Sequence, residues 1–410
     1  MKKIIFILFL LSFNAIQSKQ IEVCSNCEVN TIRKAIEIAV NGDKIFIKKG
    51  IYNENNLLVD KSISIFGEKG TIIDGQNKNG VFLFQTNDFK LKNIKIINVG
   101  ISYIKEYSGI KVAKCERFSI ENIEMEKMFF GIIIEKSHYG KIQNCKISSS
   151  VKEEASSGNG IHVWHSSNME ISANEVYGMR DGIYFEFVTL SKIHHNNSYN
   201  NIRYGLHFMF SNNDVYHDNE FRNNGSGVAV MFSKFIKMYQ NKFLYNWGSA
   251  SYGLLLKEIY DTEIYNNLFQ ENTIGIKGEG CNRINYKNNT FLRNGWAIKI
   301  AGACYTNIFE KNDFLHNSLD LSYDSKVNDN RFENNYWSEY TGYDLDKDGV
   351  GDVPYRPVKL FSYLVNRTPE ALVLLRSLFV DIINFSEKVS PVFTPDELMD
   401  QKPIMRKIND

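Results

Sequence analysis

The chain has 410 residues, with 48 Lys+Arg against 47 Asp+Glu and a formal net charge of +1. That balance argues against a dedicated nucleic-acid binder, which carries a basic excess, and 43% hydrophobic with 13% aromatic residues are too many for a disordered chain. Six Cys are too sparse for a disulfide scaffold, and the length admits two or three domains or one repeat array.

The N-terminus opens with Lys2 and Lys3, then an apolar run at 4–13, then Ala15 and Ser18. A short basic region, a ten-residue apolar stretch and small residues predict a secretory signal peptide over 1–18, cleaved on export. Ten residues cannot cross a bilayer core of about 30 Å, so the run is not a membrane anchor. Cys24 and Cys27 come next, with CxxC spacing. Such a pair can be redox-active, half a metal site or a local disulfide; in an exported chain an oxidised clasp is expected. Residues 31–40 place Ile32, Ala35, Ile36 and Ala39 on one helical face. This predicts a helix capping the open end of a solenoid, and a strand at 44–48.

The body is a repeat. Gly109, Gly131, Gly160, Gly182, Gly205, Gly227, Gly253 and Gly275 recur at gaps of 22, 29, 22, 23, 22, 26 and 22, and Ala297 continues the series. An Asn-x-Phe-x-x-Asn mark starts at Asn219, Asn241, Asn267, Asn289, Asn312 and Asn330, with a weaker copy at Asn197. A unit of about 22 residues is too short for a helix pair and lacks the Leu spacing of leucine-rich repeats. Asn and Gly suit the left-handed corners between short strands, and stacked Asn can form ladders. The expected fold is all-β: a right-handed parallel β-helix over 19–335 with an N-terminal cap. Residues 44–108 read as less regular early coils, and the polar stretch 148–159 as a loop extruded from the rod. An Asp- and aromatic-rich loop is expected at 336–368, then a helix over 369–388 and an extended tail to 410.

The positions one and three places after each Gly are apolar and face inward. The intervening positions then face out: His162 and Trp164, Tyr184 and Glu186, His207 and Met209, Ala229 and Met231. Imidazole with thioether suits copper, especially Cu(I), so His162, His207, Met209 and Met231 are candidate copper ligands. Trp164, Tyr184 and Glu186 suit a protein interface, and packing under the 148–159 loop is a third reading. His165, His194 and His195 fall at turns and read as solvated. Cys281 and Cys304, one coil apart, can stack or bond, while Cys115 and Cys145 read as small buried residues. Asp344, Asp346, Asp348, Gly349 and Asp352 match positions 1, 3, 5, 6 and 9 of an EF-hand loop, but Tyr355 stands where the bidentate Glu belongs. They are candidate calcium ligands; an unmetallated Asp-rich turn is the alternative.

A polysaccharide-cleaving enzyme needs converging carboxylates. Adjacent coils offer only isolated acids such as Asp181 and Glu186, so no catalytic residue is assigned.

The segment 335–357 (NYWSEYTGYDLDKDGVGDVPYRP) closely resembles a signature of the NosD family, as do the tail 390–400 (SPVFTPDELMD) continuing to 402–406 (KPIMR), and the coil 204–211 (YGLHFMFS). That resemblance implies a periplasmic β-helix accessory protein for maturation of nitrous oxide reductase. It implies help in assembling the copper–sulfide centre, with transient copper binding. The partners it implies are the permease and ATPase of an ABC transporter, the reductase and a copper chaperone, with membrane association only through a partner. The apolar stretch with Leu375, Leu378 and Phe379 would then dock on the permease, or pack on the rod's open end. The resemblance carries over no agreed ligand set, and Cys24 and Cys27 depart from the family pattern.

Overall fold

A computed structural model of the chain describes residues 18–102, 104–150, 153–324, 329–375, 377–389 and 398–408. The leader, apart from Ser18, and 390–397 of the tail motif lie outside the described residues. The described chain forms a parallel β-helix, as the repeat predicts. One sheet has 12 strands, running from Leu57–Val59 to Leu319–Asp324, and a second connected sheet has 25. Every pairing between named strands is parallel; Leu206 pairs with Ile183 on one side and Val228 on the other. Twelve strands spaced about 4.8 Å give a face about 53 Å long.

The inward register follows the Gly series. Ile161, Val163, Ile183, Phe185, Leu206, Phe208, Val228, Val230, Leu254 and Leu256 are all fully buried. Inside, Phe243, Phe269, Phe291, Phe314 and Trp337 form one stack with ring centroids 4.0–5.0 Å apart. The glycines serve close coil-to-coil approach. A Cβ on Gly131 would lie 2.4 Å from the Gly160 carbonyl oxygen, and one on Gly227 the same distance from that of Gly253.

Asn side chains tie the coils together. From Asn174 through Asn196, Asn219, Asn241, Asn267, Asn289 and Asn312 to Asn335, each Oδ1 after the first accepts from the backbone N–H of the preceding coil's ladder Asn and from that residue's Nδ2. A second ladder runs through Asn201, Asn224, Asn246, Asn272, Asn294 and Asn317. Two expectations change here. The weaker copy starts at Asn196, not Asn197, because Asn196 and Asn201 are the laddered pair. The left-handed corners are not taken by the ladder Asn. The residue before each takes them: His195, Asp218, Gln240, Asn266, Asn288, Lys311 and Asn334, all at φ of +52 to +56°. The ladder Asn are held instead by bonds to both neighbouring coils.

The N-terminal cap is the helix Ile32–Ile38. Thr31 caps it by accepting from the Lys34 N–H, and Glu54 accepts from the N–H groups of Ile32 and Arg33. Cys24 and Cys27 form a disulfide beside it. Cys281 and Cys304 stack without bonding: both are free thiols, and the Cys281 N–H donates to Cys304 Sγ at 3.2 Å. Cys115 and Cys145 are free and buried.

The C-terminal region departs from expectation. Instead of one helix over 369–388, there is a helix Leu360–Arg367, a 3-10 turn Pro369–Leu374 and a helix Leu378–Val389. The break leaves helical geometry at Leu375, with φ −54° and ψ 130°. It lets Phe361 and Val365 from one helix and Val380 from the other share one apolar patch with Trp296 and Leu319. A single straight helix could not bring both segments onto that patch. The pair therefore packs on the outward side of the last coils, and Asn366 donates to Ser322.

Beyond 397 the chain returns to the rod's end. Asp400, fully buried, accepts from Asn335 N–H, Asn335 Nδ2 and Trp337 Nε1, each at 3.0 Å, and so terminates the first ladder. Removing this acceptor strands three buried donors, each worth about 1–3 kcal/mol. Asp400→Ala is expected to cost at least about 3 kcal/mol in denaturant unfolding and Asp400→Asn clearly less. Equal, sub-kilocalorie effects of both would show that the ladder does not need this terminus.

Candidate functional site

The outward face of the 12-stranded sheet carries two columns. Register places Ile133, His162, Tyr184, His207, Ala229 and Leu255 in one. Glu135, Trp164, Glu186, Met209, Met231 and Lys257 form the other. The alternation of the strands sets this, and the predicted residues share one surface.

The face is partly covered. His207 is only 6% exposed, with the Tyr204 ring 4.8 Å away, and Glu154 reaches the neighbouring Arg203 at 3.3 Å. Arg203 also grips the fully buried Asp181, with Nη2 2.6 Å from Oδ2 and Nε 2.9 Å from Oδ1. Burial works to raise the Asp181 carboxyl, but His207 and Arg203 outweigh it and hold it below the usual carboxylate range. His207 Nδ1 stands 3.6 Å from Asp181 Oδ2, beyond hydrogen-bond length, so this contact is electrostatic.

All four ring nitrogens of His162 and His207 are buried without a hydrogen-bond partner. The Tyr184 ring stands between the two imidazoles, 4.7 Å from His162 and 5.0 Å from His207. Its hydroxyl lies 3.2 Å from Glu186 Oε2 and 3.7 Å from Met209 Sδ. Met209 and Met231 are register partners, both half-buried. The arrangement places an unsatisfied imidazole and two thioethers at neighbouring positions around His207, a donor set that fits a soft cation. His162 is set apart by Tyr184. Trp164 receives Lys136 Nζ 5.2 Å over its ring.

The other candidates lie elsewhere. One carboxylate oxygen from each of Asp344, Asp346 and Asp348 falls within a common 4.8 Å, at the surface. Asp344 accepts from the N–H groups of Asp348 and Gly349, giving the loop an EF-hand-like turn. Asp352 points its carboxylate at the Leu345 N–H. Leu375 packs half-buried, while Leu378 and Phe379 are 73% and 53% exposed. His165, read as solvated, begins an outer aromatic stack with Phe187, Phe210 and Phe232. Sequence reasoning missed His217, whose ring stacks on His194. Their 23-residue separation, one coil, was the available signal.

Comparison with known proteins supports the resemblance. Residues 144–342 match the family model described as "Periplasmic copper-binding protein (NosD)". Two curated relatives, both described as "Probable ABC transporter binding protein NosD", come from Pseudomonas aeruginosa (30% identical over 148 residues) and Stutzerimonas stutzeri (27% over 146). Each match covers 35% of this chain and spans less than a third of the relative, 31% and 30%. Among solved structures, the Family 28 exopolygalacturonase of Yersinia enterocolitica aligns with a TM-score of 0.57 over 78% of each chain, at 11% identity. The A-module of the mannuronan C-5 epimerase AlgE6 of Azotobacter vinelandii aligns at 0.50, over 76% of this chain and 97% of the module, at 13% identity. At such identities the likeness shows the β-helix fold alone. Among the described residues, no helix is long and apolar enough to cross a membrane.

The environment of His162 has a measurable consequence. Burial, then the Arg180 charge, pushes its imidazole from 6.5 down to about 4. The unfolded ring takes a proton near 6.5 and the folded ring does not. Stability from this group is therefore complete above that pH and is lost as pH falls toward 4, by at most about 3 kcal/mol. Thermal unfolding midpoints of the parent should drop more between pH 7 and pH 5 than those of His162→Phe; parallel curves would contradict this account.

Proposed function

We propose that this chain is a periplasmic accessory protein for maturation of nitrous oxide reductase. It helps assemble the copper–sulfide centre together with an ABC-type transporter, and carries Cu(I) transiently as cargo on its outer His/Met face. The family match and the relatives' names support a copper-related, transporter-linked role. The observation that carries the metal reading is the buried His207 imidazole, neither of whose ring nitrogens has a hydrogen-bond partner, at a register position next to the thioethers of Met209 and Met231, with the similarly unbonded His162 across Tyr184. A buried polar atom without a partner costs about 1–3 kcal/mol. A bound cation would recover that cost, and a neutral imidazole is the form that binds. The two thioethers are half-buried, which suits a carrier whose ligands must also release the ion to a client.

Docking is assigned to the second C-terminal helix. Leu378, Phe379, Ile382 and Phe385 are all more than half exposed, while Val380 packs inward. The exposed residues recur at the spacing of one helical face. We assign this face to the transporter permease, with the ATPase engaged through it; the copper chaperone and the reductase would meet the His/Met face. A non-metal-binding adaptor remains the second reading, favoured by the same exposed helix. The chain is not proposed as an enzyme, and release of sugars from uronate polymers would overturn that. The Asp344 loop is assigned to structural Ca²⁺, held by Asp344, Asp346 and Asp348, with the fourth candidate, Asp352, bracing the loop through the Leu345 N–H.

Anaerobic Cu(I) titration tests the metal reading. His207→Ala and Met209→Ala are each expected to weaken binding tenfold or more, about 1.4 kcal/mol. Absence of binding, or binding indifferent to both changes, would leave the adaptor reading. For the Asp loop, Ca²⁺ should raise the thermal midpoint of the parent and not of Asp344→Asn; identical shifts would remove calcium from that loop.

A further inference from the structure

A second histidine cluster lies on the other sheet, where the 23-residue coil spacing carries His194-His195 onto His217-Asp218. The strands Lys192–His194 and Val215–His217 pair in register, His194 against His217. Their rings stack at 5.1 Å and 6°, and Tyr239 extends the stack at 4.7 Å and 1°. This fixes the plane of the His217 imidazole. The His195 ring stands nearly perpendicular, 6.0 Å from that of His217. His195 and Asp218 both occupy left-handed corners, φ +55° and +53°, so the ladder holds their backbones rigidly. His217 Nδ1 is 2.6 Å from Asp218 Oδ2, and His194 Nδ1 is 2.9 Å from His195 Nδ1. One ligand atom from each of His195, His217 and Asp218 lies within 4.8 Å of the others, a spacing that a single ion can bridge.

We propose that His195, His217 and Asp218, with His194 beside them, form a divalent transition-metal site that takes Zn²⁺ or Cu²⁺. Two imidazoles and a carboxylate are borderline-to-hard ligands, which suit these ions. The absence of sulfur separates the site from the Met-rich face proposed for Cu(I), and the nitrogen donors disfavour Ca²⁺ and Mg²⁺. Three protein ligands leave a coordination position open to water or to an exchanging partner. His195 and Asp218 are exposed or half-buried at the surface and His217 is half-buried, so an ion enters without unfolding. Glu170, 3.7 Å from His194 Nε2, adds negative charge at the rim. The site stands independently of the copper-carrier reading, because none of its residues lies on the 12-stranded sheet.

The test is Zn²⁺ titration of the chelator-stripped full chain by calorimetry, with Co²⁺ as the spectroscopic probe. His217→Phe keeps the ring stack, and His195→Asn keeps a residue that tolerates the left-handed corner. Each is expected to lower Zn²⁺ affinity at least tenfold and to remove the Co²⁺ visible bands, with unchanged circular dichroism. His207→Ala and Met209→Ala should leave both signals intact. Zn²⁺ binding that is unchanged in His217→Phe and His195→Asn, or that disappears only with Asp344→Asn, would overturn the proposal.

Discussion

The structure depends on the vertical hydrogen bond from one coil's Asn to the next. A β-helix turns sharply several times per coil, and each turn leaves buried backbone N–H groups that no strand partner reaches. The laddered Asn answers this with one side chain: its Oδ1 takes two donors from the preceding coil, and its Nδ2 donates onward. In mid-ladder the Asn219 Nδ2 reaches the Ile193 carbonyl as well as Asn241. With the corner so fixed, residues as unlike as His195, Gln240 and Lys311 can adopt a left-handed conformation that costs about 1–2 kcal/mol in isolation.

A ladder with fixed register makes the surface a set of columns. A residue's chemistry is then shared with what stands one coil above and below, not with its sequence neighbours. Both histidine groups arise in this way. On one sheet, His162, Tyr184 and His207 form a column beside Met209 and Met231. On the other, His194 and His217 stack while the corner residues His195 and Asp218 turn their ligand atoms toward them. The two groups differ in exposure: His207 is buried beside Tyr204, whereas the His195 side of the second group is exposed.

The ends obey the same constraint. At the N-terminus a short helix, capped by Thr31 and anchored by Glu54, covers the first coil. At the C-terminus the ladder would end on two donors of Asn335; Asp400 from the returning tail accepts both, together with the Trp337 indole. The helices between are an addition to the rod, held by the patch of Trp296 and Leu319 and leaving one apolar helix face exposed. Leu378, Phe379, Ile382 and Phe385 on that face are each more than half exposed, more than the outer Phe187, Phe210 and Phe232 of the β-helix.

The repeat, its period, the inward positions after each Gly and the ladder Asn were all legible in the residues, because stacked coils must repeat the same inward positions and the same laddered side chains at every turn. The outward columns were legible for the same reason. Other features came only from the tertiary structure. Leu372 to Phe385 form a largely apolar run, and only the position of Trp296 and Leu319 makes a break at Leu375 favourable. Asp400 is an ordinary acid until three donors converge on it. His217 is one histidine among eight until register brings His195 and Asp218 to it. Local pattern determines which side of a strand a residue faces; only the stacked coils decide what stands next to it.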